Sequence, residues 1–278
     1  MSRSDRERLS SLVRQAIGGN RAAIEELLRS VADDVYGLAL RMLWNTADAE
    51  DATQEILVKL TTRLTSFDHR ASFRTWVYRV ASNHLLDIKR SPLERMKMTF
   101  EEFAEDLAHG QEPLPEEHAA MKARLTEEVR IGCTMGMLQC LDRSHRLAYV
   151  LGEILDFSSP DAAYALDISE ATFRKRLSRA RQRITEFTRQ YCGLVDETAA
   201  CRCERRIAPA ILAGRVRPND LAFARDNSVD SAEVAYAVQQ LDGARRTVAL
   251  YRSQHAPTAD RDLARKVIAS LALPGTAG

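Results

Sequence analysis

Residues 158–183 read SSPDAAYALDISEATFRKRLSRARQR and carry the signals of two short helices joined by a sharp turn. Ser159 is placed to cap the first helix, with Pro160 at its first position, where a missing N–H is not needed. Asp167 stands at the turn, and Asp tolerates left-handed backbone better than most residues. Ser169 can cap a second helix that begins at Glu170. The pattern predicts a helix-turn-helix.

The second of these helices is amphipathic and strongly basic. Helical spacing gathers its apolar residues into one buried stripe, formed by Phe173, Leu177, Ala180, Ile184 and Phe187. The remaining surface carries Arg174, Lys175, Arg176, Arg179, Arg181 and Arg183. Such a helix fits the major groove of DNA, where its first turns reach base edges and its later arginines neutralise phosphates. The alternative is a solvated basic face on a structural helix, and the capped first helix and the turn favour DNA binding.

Composition limits the classes of protein to which the chain can belong. It has 278 residues and a net charge of only +1, so contact with DNA must come from local segregation of charge. Period-two alternation is almost absent and helical periodicity recurs throughout, which predicts an all-α fold. No apolar run approaches the roughly 18 residues needed to span a bilayer, and the N-terminus has no signal-peptide core. We expect a cytoplasmic protein without a membrane segment.

Two further stretches have alternative interpretations. The segment DAEDATQEI, residues 48–56, collects acidic residues near a helix start, where they either stabilise the helix dipole or form a docking surface for a basic partner. Residues 72–90 interleave the aromatics Phe73, Trp76 and Tyr78 with basic residues. That mixture suits stacking on unpaired bases, or it places the aromatics in the core and the basic residues on the surface.

Together these motifs resemble a known family. Residues 35–90, with DAEDATQEI and SFRTWVYRVASNHLLDIKR, resemble the second domain of bacterial RNA polymerase sigma factors of the sigma-70 family. Residues 141–188, with ISEATFRKRLSRARQRI, resemble the fourth domain of the same family. No third domain lies between them, which indicates the extracytoplasmic-function (ECF) group. The resemblance implies a promoter-directed initiation factor that is not an enzyme, with core RNA polymerase and promoter DNA as partners and an anti-sigma factor as a further candidate.

The resemblance also implies roles for individual residues. It assigns contact with core polymerase to Asp48, Glu50, Asp51 and Gln54. It assigns capture of the minus-ten promoter element to Trp76, Arg79, Asn83, His84, Asp87, Lys89 and Arg90. It assigns recognition of the minus-thirty-five promoter element to Ser169, Thr172, Arg174, Lys175, Arg176 and Arg179. The corresponding organisation is sigma domain two at 9–92, a linker at 93–126, sigma domain four at 127–190, a Cys-containing loop at 191–206 and a helical C-terminal extension at 207–278.

The cysteines of the loop form a candidate site of their own. Cys192, Cys201 and Cys203 are spaced C-x8-C-x-C, and three thiolates with one more donor complete a tetrahedral site for zinc or another transition metal. The sequence does not choose the fourth ligand among His145, Cys140 and His118. Redox sensing is an alternative if Arg202, Arg205 and Arg206 lower the thiol pKa values, and incidental cytosolic thiols are another.

No cofactor is required for the sigma-factor function, and two other functions stay open. One is a free-standing helix-turn-helix regulator, and the other is a metal- or redox-responsive regulator that acts without core polymerase. We expect the extension, residues 207–278, to pack on one of the sigma domains and to adjust its availability to polymerase.

Overall fold

The computed structural model describes residues 3–89, 98–109, 112–224, 241, 243–253, 258–260 and 262–270. Within these ranges the chain is helical and has no strand, so the prediction of an all-α fold is confirmed. One isolated backbone bridge joins Cys192 and Cys201. None of the described helices is long and apolar enough to cross a membrane.

The described residues form twelve α-helices, in the following order. They are α1 (Arg3–Ile17), α2 (Arg21–Leu43), α3 (Thr46–Arg63), α4 (Phe73–Asp87), α5 (Phe100–His109), α6 (Lys122–Gln139), α7 (Arg143–Tyr149), α8 (Ser159–Leu166), α9 (Glu170–Tyr191), α10 (Ile207–Leu212), α11 (Gly243–Arg252) and α12 (Leu263–Ser270). A π-helical turn, Val150–Ile154, continues α7. Single 3-10 turns cover Leu64–Ser66, Glu116–Met121 and Cys203–Arg206.

The chain divides into two compact units that are discontinuous in sequence. The first unit contains residues 1–89, 158–172 and 256–278, and the second contains residues 90–157 and 173–255. The first unit therefore holds α1 to α4 together with α8 and α12, while the second holds α5 to α7, most of α9, and α10 and α11.

Side-chain caps fix where the helices of the first unit begin. Asn20, Asn45 and Ser72 precede α2, α3 and α4, and each has an extended backbone. Each side-chain oxygen accepts a hydrogen bond from the backbone N–H three residues later, at 3.1, 2.9 and 3.0 Å respectively. These bonds satisfy donors that the helix itself leaves without partners, so the helix starts are defined locally by the sequence.

The helix-turn-helix forms as predicted, with one correction at its start. The cap of α8 is Ser158 rather than Ser159, because the extended backbone of Ser158 lets its Oγ accept from the N–H of Asp161 at 3.3 Å. Pro160 is consequently the second residue of the helix. Asp167 occupies the left-handed turn with φ of 53°, and the N–H of Thr172 donates to Ser169 Oγ at 3.2 Å as the predicted cap of α9.

The second unit contains the linker helix α5 and the start of the C-terminal extension together with α6, α7 and most of α9. A reciprocal capping box opens α5, with Glu102 N–H donating to Thr99 Oγ1 at 3.1 Å and Thr99 N–H donating to a Glu102 carboxylate oxygen at 2.9 Å. Phe103 then stacks on Phe187 of α9 at 5.6 Å between ring centroids. The segment 93–126 therefore contains a docked helix.

The extension is anchored on α6 by a buried carboxylate. The Glu128 side chain is only 2% exposed, and it accepts backbone N–H bonds from Ala222, Phe223 and Ala224 at 2.8, 2.8 and 2.7 Å. Apolar residues of α6 and the extension form one cluster around these bonds. Residues 225–240 lie outside the described residues.

Candidate nucleic-acid and polymerase interface

The basic face of α9 lies exposed above a buried stripe. Four of the five predicted stripe residues are buried, and Leu177 is half-buried. Phe173 and Leu177 pack so closely on the π-helical turn that a Cβ at Gly152 would overlap them. Burial of this stripe fixes the rotation of α9 about its axis, so its remaining surface faces outward.

Each residue predicted to read the minus-thirty-five element lies on α9 or at its cap. Arg174, Lys175 and Arg179 are exposed, while Thr172 and Arg176 are half-buried. Ser169 is exposed, but its Oγ already serves as the cap of the helix. Later basic residues on the same helix have structural contacts: Arg181 Nε is 2.9 Å from a carboxylate oxygen of Glu153, and Arg183 lies 5.0 Å from the ring centre of Phe100.

The aromatic residues of α4 lie in the core. Trp76 is 4% exposed and packs against Phe67 and Phe73, with ring centroids 5.6 and 5.7 Å apart. Tyr78 is 1% exposed, and burial raises the pKa of its hydroxyl. The aromatic and basic interleaving in residues 72–90 therefore corresponds to core packing for the aromatic residues. Trp76 does not face solvent, where it would have to lie to stack on an unpaired base.

The outer side of α4 is covered by α8, the first helix of the helix-turn-helix. Arg79 forms an ion pair with Asp167 at 2.7 Å, and its guanidinium lies 4.8 Å from the ring centre of Tyr164. Thr75 Oγ1 donates to a carboxylate oxygen of Asp161 at 3.4 Å. Arg79, a residue predicted to contact DNA, is thus occupied by protein groups that sequence reasoning did not connect with it.

The C-terminal end of α4 has mixed exposure. Asp87 and Lys89 are exposed and Asn83 is half-buried, whereas His84 is 5% exposed. His84 Nδ1 contacts Lys59 Nζ, and His84 Nε2 lies 3.4 Å from a Glu55 carboxylate oxygen. Burial, and then the positive charge of Lys59, lower the pKa of the imidazole. Arg90 lies outside the described residues.

The acidic residues of α3 remain on the surface. Glu50, Asp51 and Gln54 are exposed and Asp48 is half-buried, while the opposite face of the helix packs in the core. Asn45 caps the helix, so the Asp48 carboxylate is not used for that purpose. The four predicted core-binding residues therefore lie on the surface of the first half of α3, and three of them are acidic.

The final helix, α12, packs on α2 and α3 within the first unit. Its apolar residues Leu263, Ala264, Val267 and Ile268 are buried. Arg21 reaches the carbonyl oxygen of Ile268 at 3.5 Å, and Arg265 lies 3.9 Å from a Glu25 carboxylate oxygen. The extension was expected to pack on one of the two predicted sigma domains, but it packs on helices from both ranges: α12 lies on α2 and α3, and residues 207–224 lie on α6.

The cysteines of the Cys loop, Cys192, Cys201 and Cys203, are half-buried. All five cysteines of the chain are reduced. Burial raises the pKa values of Cys192 and Cys203, and it outweighs the effect of neighbouring arginines. Arg202 acts to lower the pKa of Cys192, as expected, but desolvation is the larger effect and the net shift is upward. Thiols of raised pKa are poor nucleophiles, which weakens the redox alternative.

Comparison with known proteins places these elements in families. The family model "Sigma-70 region 2" matches residues 27–92, and "Sigma-70, region 4" matches residues 131–184. These matches contain α3 and α4, and α8 with the first part of α9. Neither match extends past residue 184, so the extension lies outside both.

Curated relatives agree with these matches. The ECF RNA polymerase sigma factor SigE of Mycolicibacterium smegmatis is 28% identical over 65% of this chain and 68% of its own length. The RNA polymerase sigma factor CnrH of Cupriavidus metallidurans is 29% identical over 66% of this chain and 95% of its own length. The solved structure of CnrH in complex with the cytosolic domain of CnrY has a TM-score of 0.43 and 24% identity, and covers 62% of this chain and 91% of that one.

Sigma factors are regulators that bind core RNA polymerase and promoter DNA, and they direct transcription initiation rather than catalyse a reaction. The two matched regions occur in this chain in the family's order and carry the acidic helix start and the basic helix described above. The chain belongs to the sigma-70 family of RNA polymerase sigma factors, in its ECF group.

Proposed function

We propose that this sigma factor reads the minus-thirty-five element with α9, captures the minus-ten element with the outer face of α4, and binds core polymerase through the acidic start of α3. The observation that carries the proposal is the exposed basic face of α9, which burial of the opposite stripe holds outward. Arginine is the side chain best suited to bidentate recognition of guanine in the major groove.

Core binding through α3 is the step that separates a sigma factor from a free-standing regulator. Reversal of two charges, Asp48→Lys with Asp51→Lys, places like charges against a basic partner. We expect this variant to lose core polymerase binding by at least about tenfold, as measured by fluorescence anisotropy of the labelled chain. Glu101→Lys, an exposed reversal on α5, is the matched control.

Run-off transcription distinguishes the two functions directly. With core polymerase and sheared genomic DNA, the wild-type chain is expected to create discrete RNA 5′ ends that the α3 double variant does not create. Sequence-specific DNA binding without core polymerase, together with no chain-dependent transcripts, would support the free-standing regulator instead.

In this proposal, the face of α4 that contacts α8 must separate from α8 before it can capture DNA. The polar contacts that α8 makes with it are individually weak: Arg79 and Asp167 are 30% and 66% exposed, and such ion pairs contribute about 0–1 kcal/mol. The cation–π contact of Arg79 on Tyr164 adds about 0.5–1 kcal/mol. Energies of this size are readily exceeded by contacts with polymerase and DNA, so we propose that α8 leaves α4 during promoter binding.

The extension is proposed to regulate access to sigma domain two. The buried face of α12 packs on α2 and α3. The pKa of the Lys266 ammonium is raised chiefly by its hydrogen-bond partner Asp260, and Glu50 makes the smallest contribution. Glu50 belongs to the proposed core-binding surface, so α12 and polymerase would compete for neighbouring parts of α3.

The double substitution Val267→Asp with Ile268→Asp tests this competition. Both residues are buried, whereas Ala269 is exposed, and Ala269→Asp serves as the control. We expect the double variant to bind core polymerase several-fold more tightly than the wild type. Unchanged or weaker binding in a variant that keeps its helical circular dichroism would contradict regulation by α12.

A protein partner and a compartment complete the proposal. The relative CnrH has been solved with the cytosolic domain of a second protein, CnrY, and a partner of this kind is the candidate anti-sigma factor here. We propose that the chain works in the cytoplasm, where sigma factors meet polymerase. Affinity purification of the tagged chain from its own cells tests both points.

A further inference from the structure

We propose that Arg252, in the last turn of α11, is a positioning residue for promoter recognition by α9. This role rests on the proposed reading function of α9, and Arg252 itself lies in the extension, outside both family matches. Its side chain holds the π-helical turn Val150–Ile154, on which the reading part of α9 packs. The role is indirect, because Arg252 contacts the turn and the turn supports the helix that would contact DNA.

Arg252 bonds to the end of the turn at two points. Its Nε donates to the backbone carbonyl of Glu153 at 2.6 Å, and its Nη2 donates to a carboxylate oxygen of Asp156 at 2.9 Å. Carbonyls in the last turn of a helix have no partner within the helix, and a cation at that end also interacts favourably with the helix dipole. The planar, forked guanidinium suits two such acceptors at once.

The segment that Arg252 holds has an unusual backbone. Val150–Ile154 is π-helical, and Asp156, two residues beyond it, has φ of 57°. Such π-helical turns are rare and often occur at functional sites, and a non-glycine residue with positive φ persists only where neighbouring contacts hold it. The Arg252–Asp156 pair supplies one of these contacts, so the extension stabilises the point where the chain leaves the turn.

The same turn contacts α9 at two places. Gly152 lies against Phe173 and Leu177, and a Cβ at Gly152 would come within 2.7 Å of a Leu177 methyl carbon. Glu153 is buried, and its carboxylate accepts from Arg181 Nε at 2.9 Å. Phe173, Leu177 and Arg181 are spaced four residues apart, so they lie on one side of α9. The predicted reading residues lie in the same turns of the helix, so a shift of the π-helical turn would move them relative to DNA.

Buried contacts fix α11 in the second unit. Thr247 Oγ1 lies 2.8 Å from Thr188 Oγ1 of α9, and both residues are fully buried. The Tyr251 ring packs edge-to-face on Tyr149 of α7, with ring centroids 5.4 Å apart. Arg130 of α6 donates to a carbonyl in the last turn of α11 at 3.1 Å. The end of α11 is therefore held by three helices, which gives Arg252 a fixed base from which to hold the turn.

A direct contact of Arg252 with a DNA phosphate is the alternative to positioning, and Asp156 separates the two. Asp156 is 80% exposed and carries the opposite charge. If only charge attraction matters, removal of this carboxylate favours DNA binding, because DNA is an anion. If the carboxylate holds Arg252 in place, the same removal weakens binding. The sign of the change in Asp156→Asn therefore distinguishes the two roles, and Asn also tolerates the left-handed backbone.

Binding of core polymerase with the full-length chain to a promoter duplex tests this role, with the duplex taken from upstream of a 5′ end mapped by run-off transcription. We expect Arg252→Ala to weaken binding about three- to tenfold and Asp156→Asn about two- to threefold, because an exposed ion pair contributes less than a bond to a helix-end carbonyl. Arg252→Lys should recover part of the loss. Arg245→Ala, which removes the same charge from an exposed position on α11, is the matched control and should bind as the wild type does.

Two further measurements separate positioning from a change in charge. Discrimination between the intact duplex and one with a substituted minus-thirty-five element should fall in Arg252→Ala, because displaced reading residues lose base contacts. The slope of log affinity against log salt concentration should stay as in the wild type, since no phosphate contact is lost. Circular dichroism melting shows whether each variant is folded, and if Arg252→Ala is not, the sign of the change in Asp156→Asn decides.

Several outcomes would overturn this role. Unchanged or tighter binding by Asp156→Asn, or full discrimination by a folded Arg252→Ala, would contradict positioning. An affinity loss in Arg252→Ala with a salt slope smaller by about 1 would make Arg252 a phosphate contact instead. If Arg174→Ala with Arg179→Ala binds as the wild type does, the reading function of α9 is wrong, and the role of Arg252 is wrong with it. Loss of binding in that variant without loss in Asp156→Asn would refute positioning alone.

Discussion

The two helices assigned to DNA recognition, α4 and α9, differ in what their surfaces already contact. On α9 the apolar residues form a narrow stripe, and the predicted reading residues Arg174, Lys175 and Arg179 are exposed. On α4 the aromatic residues are in the core, and Arg79 is paired with Asp167. The basic surface of α9 is therefore already accessible to duplex DNA. In contrast, α4 would have to lose its contact with α8 before it could capture an unpaired base.

This difference follows from the two recognition tasks. Duplex readout needs only a preformed basic helix that fits a groove. Base capture needs a pocket that is useful only after the duplex has opened, at a cost of a few kcal/mol per unstacked base. In the proposed function, a covered α4 would delay that step until α8 has moved, which would link base capture to the prior binding of polymerase and promoter.

The largest expected effect is on the stability of the covered helix. Trp76→Ala removes a side chain that packs between Phe67 and Phe73, and we expect the free energy of unfolding to fall by about 3–5 kcal/mol. Urea denaturation followed by circular dichroism measures the change. Trp76→Phe should recover most of the loss, and a Trp76→Ala variant of wild-type stability would place this side chain outside the core.

The next effect is on the exposed helix and concerns DNA rather than stability. Arg174→Ala with Arg179→Ala should weaken binding to promoter duplex by about 10- to 100-fold, because each well-placed contact with a base contributes about 1–3 kcal/mol. Electrophoretic mobility shift with core polymerase measures this loss. Arg189→Ala, an exposed change in the last turn of the same helix, should have little effect, and equal losses would indicate non-specific charge attraction.

A smaller effect concerns the pair that joins α8 to α4. Asp167→Asn keeps a residue that tolerates the left-handed backbone at φ of 53° but removes the charge that faces Arg79. A double-mutant cycle with Arg79→Gln should give a coupling energy of about 0.2–1 kcal/mol from thermal unfolding. A coupling energy of zero would mean that the pair does not hold α8 on α4.

The smallest effect is the pH dependence of His84. Its folded pKa lies below the ordinary value, so the folded state binds fewer protons than the unfolded chain. Its stabilising contribution is complete above about pH 6.5 and is lost as the pH falls toward the folded pKa. The melting temperature measured between about pH 7.5 and 5 should therefore fall less in His84→Gln than in the wild type, and identical slopes would contradict this assignment.

Local sequence signals predicted the positions of the helices well, but they could not predict contacts between distant parts of the chain. The caps, the left-handed Asp167 and the apolar stripe of α9 are determined within a few residues of sequence, so the helix-turn-helix was predicted with one error. Two adjacent serines offered equivalent caps, and only the backbone conformation selects Ser158. Residue pattern also could not decide whether Trp76 stacks on bases or fills the core, since both uses require the same residue type.

The features that sequence reasoning missed all come from distant parts of the chain. Tyr164 and Asp167 reach Arg79 across more than 80 residues, and the Glu128 carboxylate accepts from the backbone of residues 222–224, which lie 94 to 96 residues later. These contacts depend on tertiary packing, which residue patterns within a short window do not determine.

Promoter opening with a weakened α8–α4 contact tests the central claim most directly. Permanganate reactivity of thymines near the minus-ten element reports strand opening in a complex of core polymerase, promoter and the full-length chain. The double variant Asp167→Asn with Tyr164→Ala should open the promoter several-fold faster than the wild type, with unchanged affinity for a minus-thirty-five duplex. Equal or slower opening in a variant of normal stability and duplex affinity would contradict the claim that α8 must leave α4 before a base is captured.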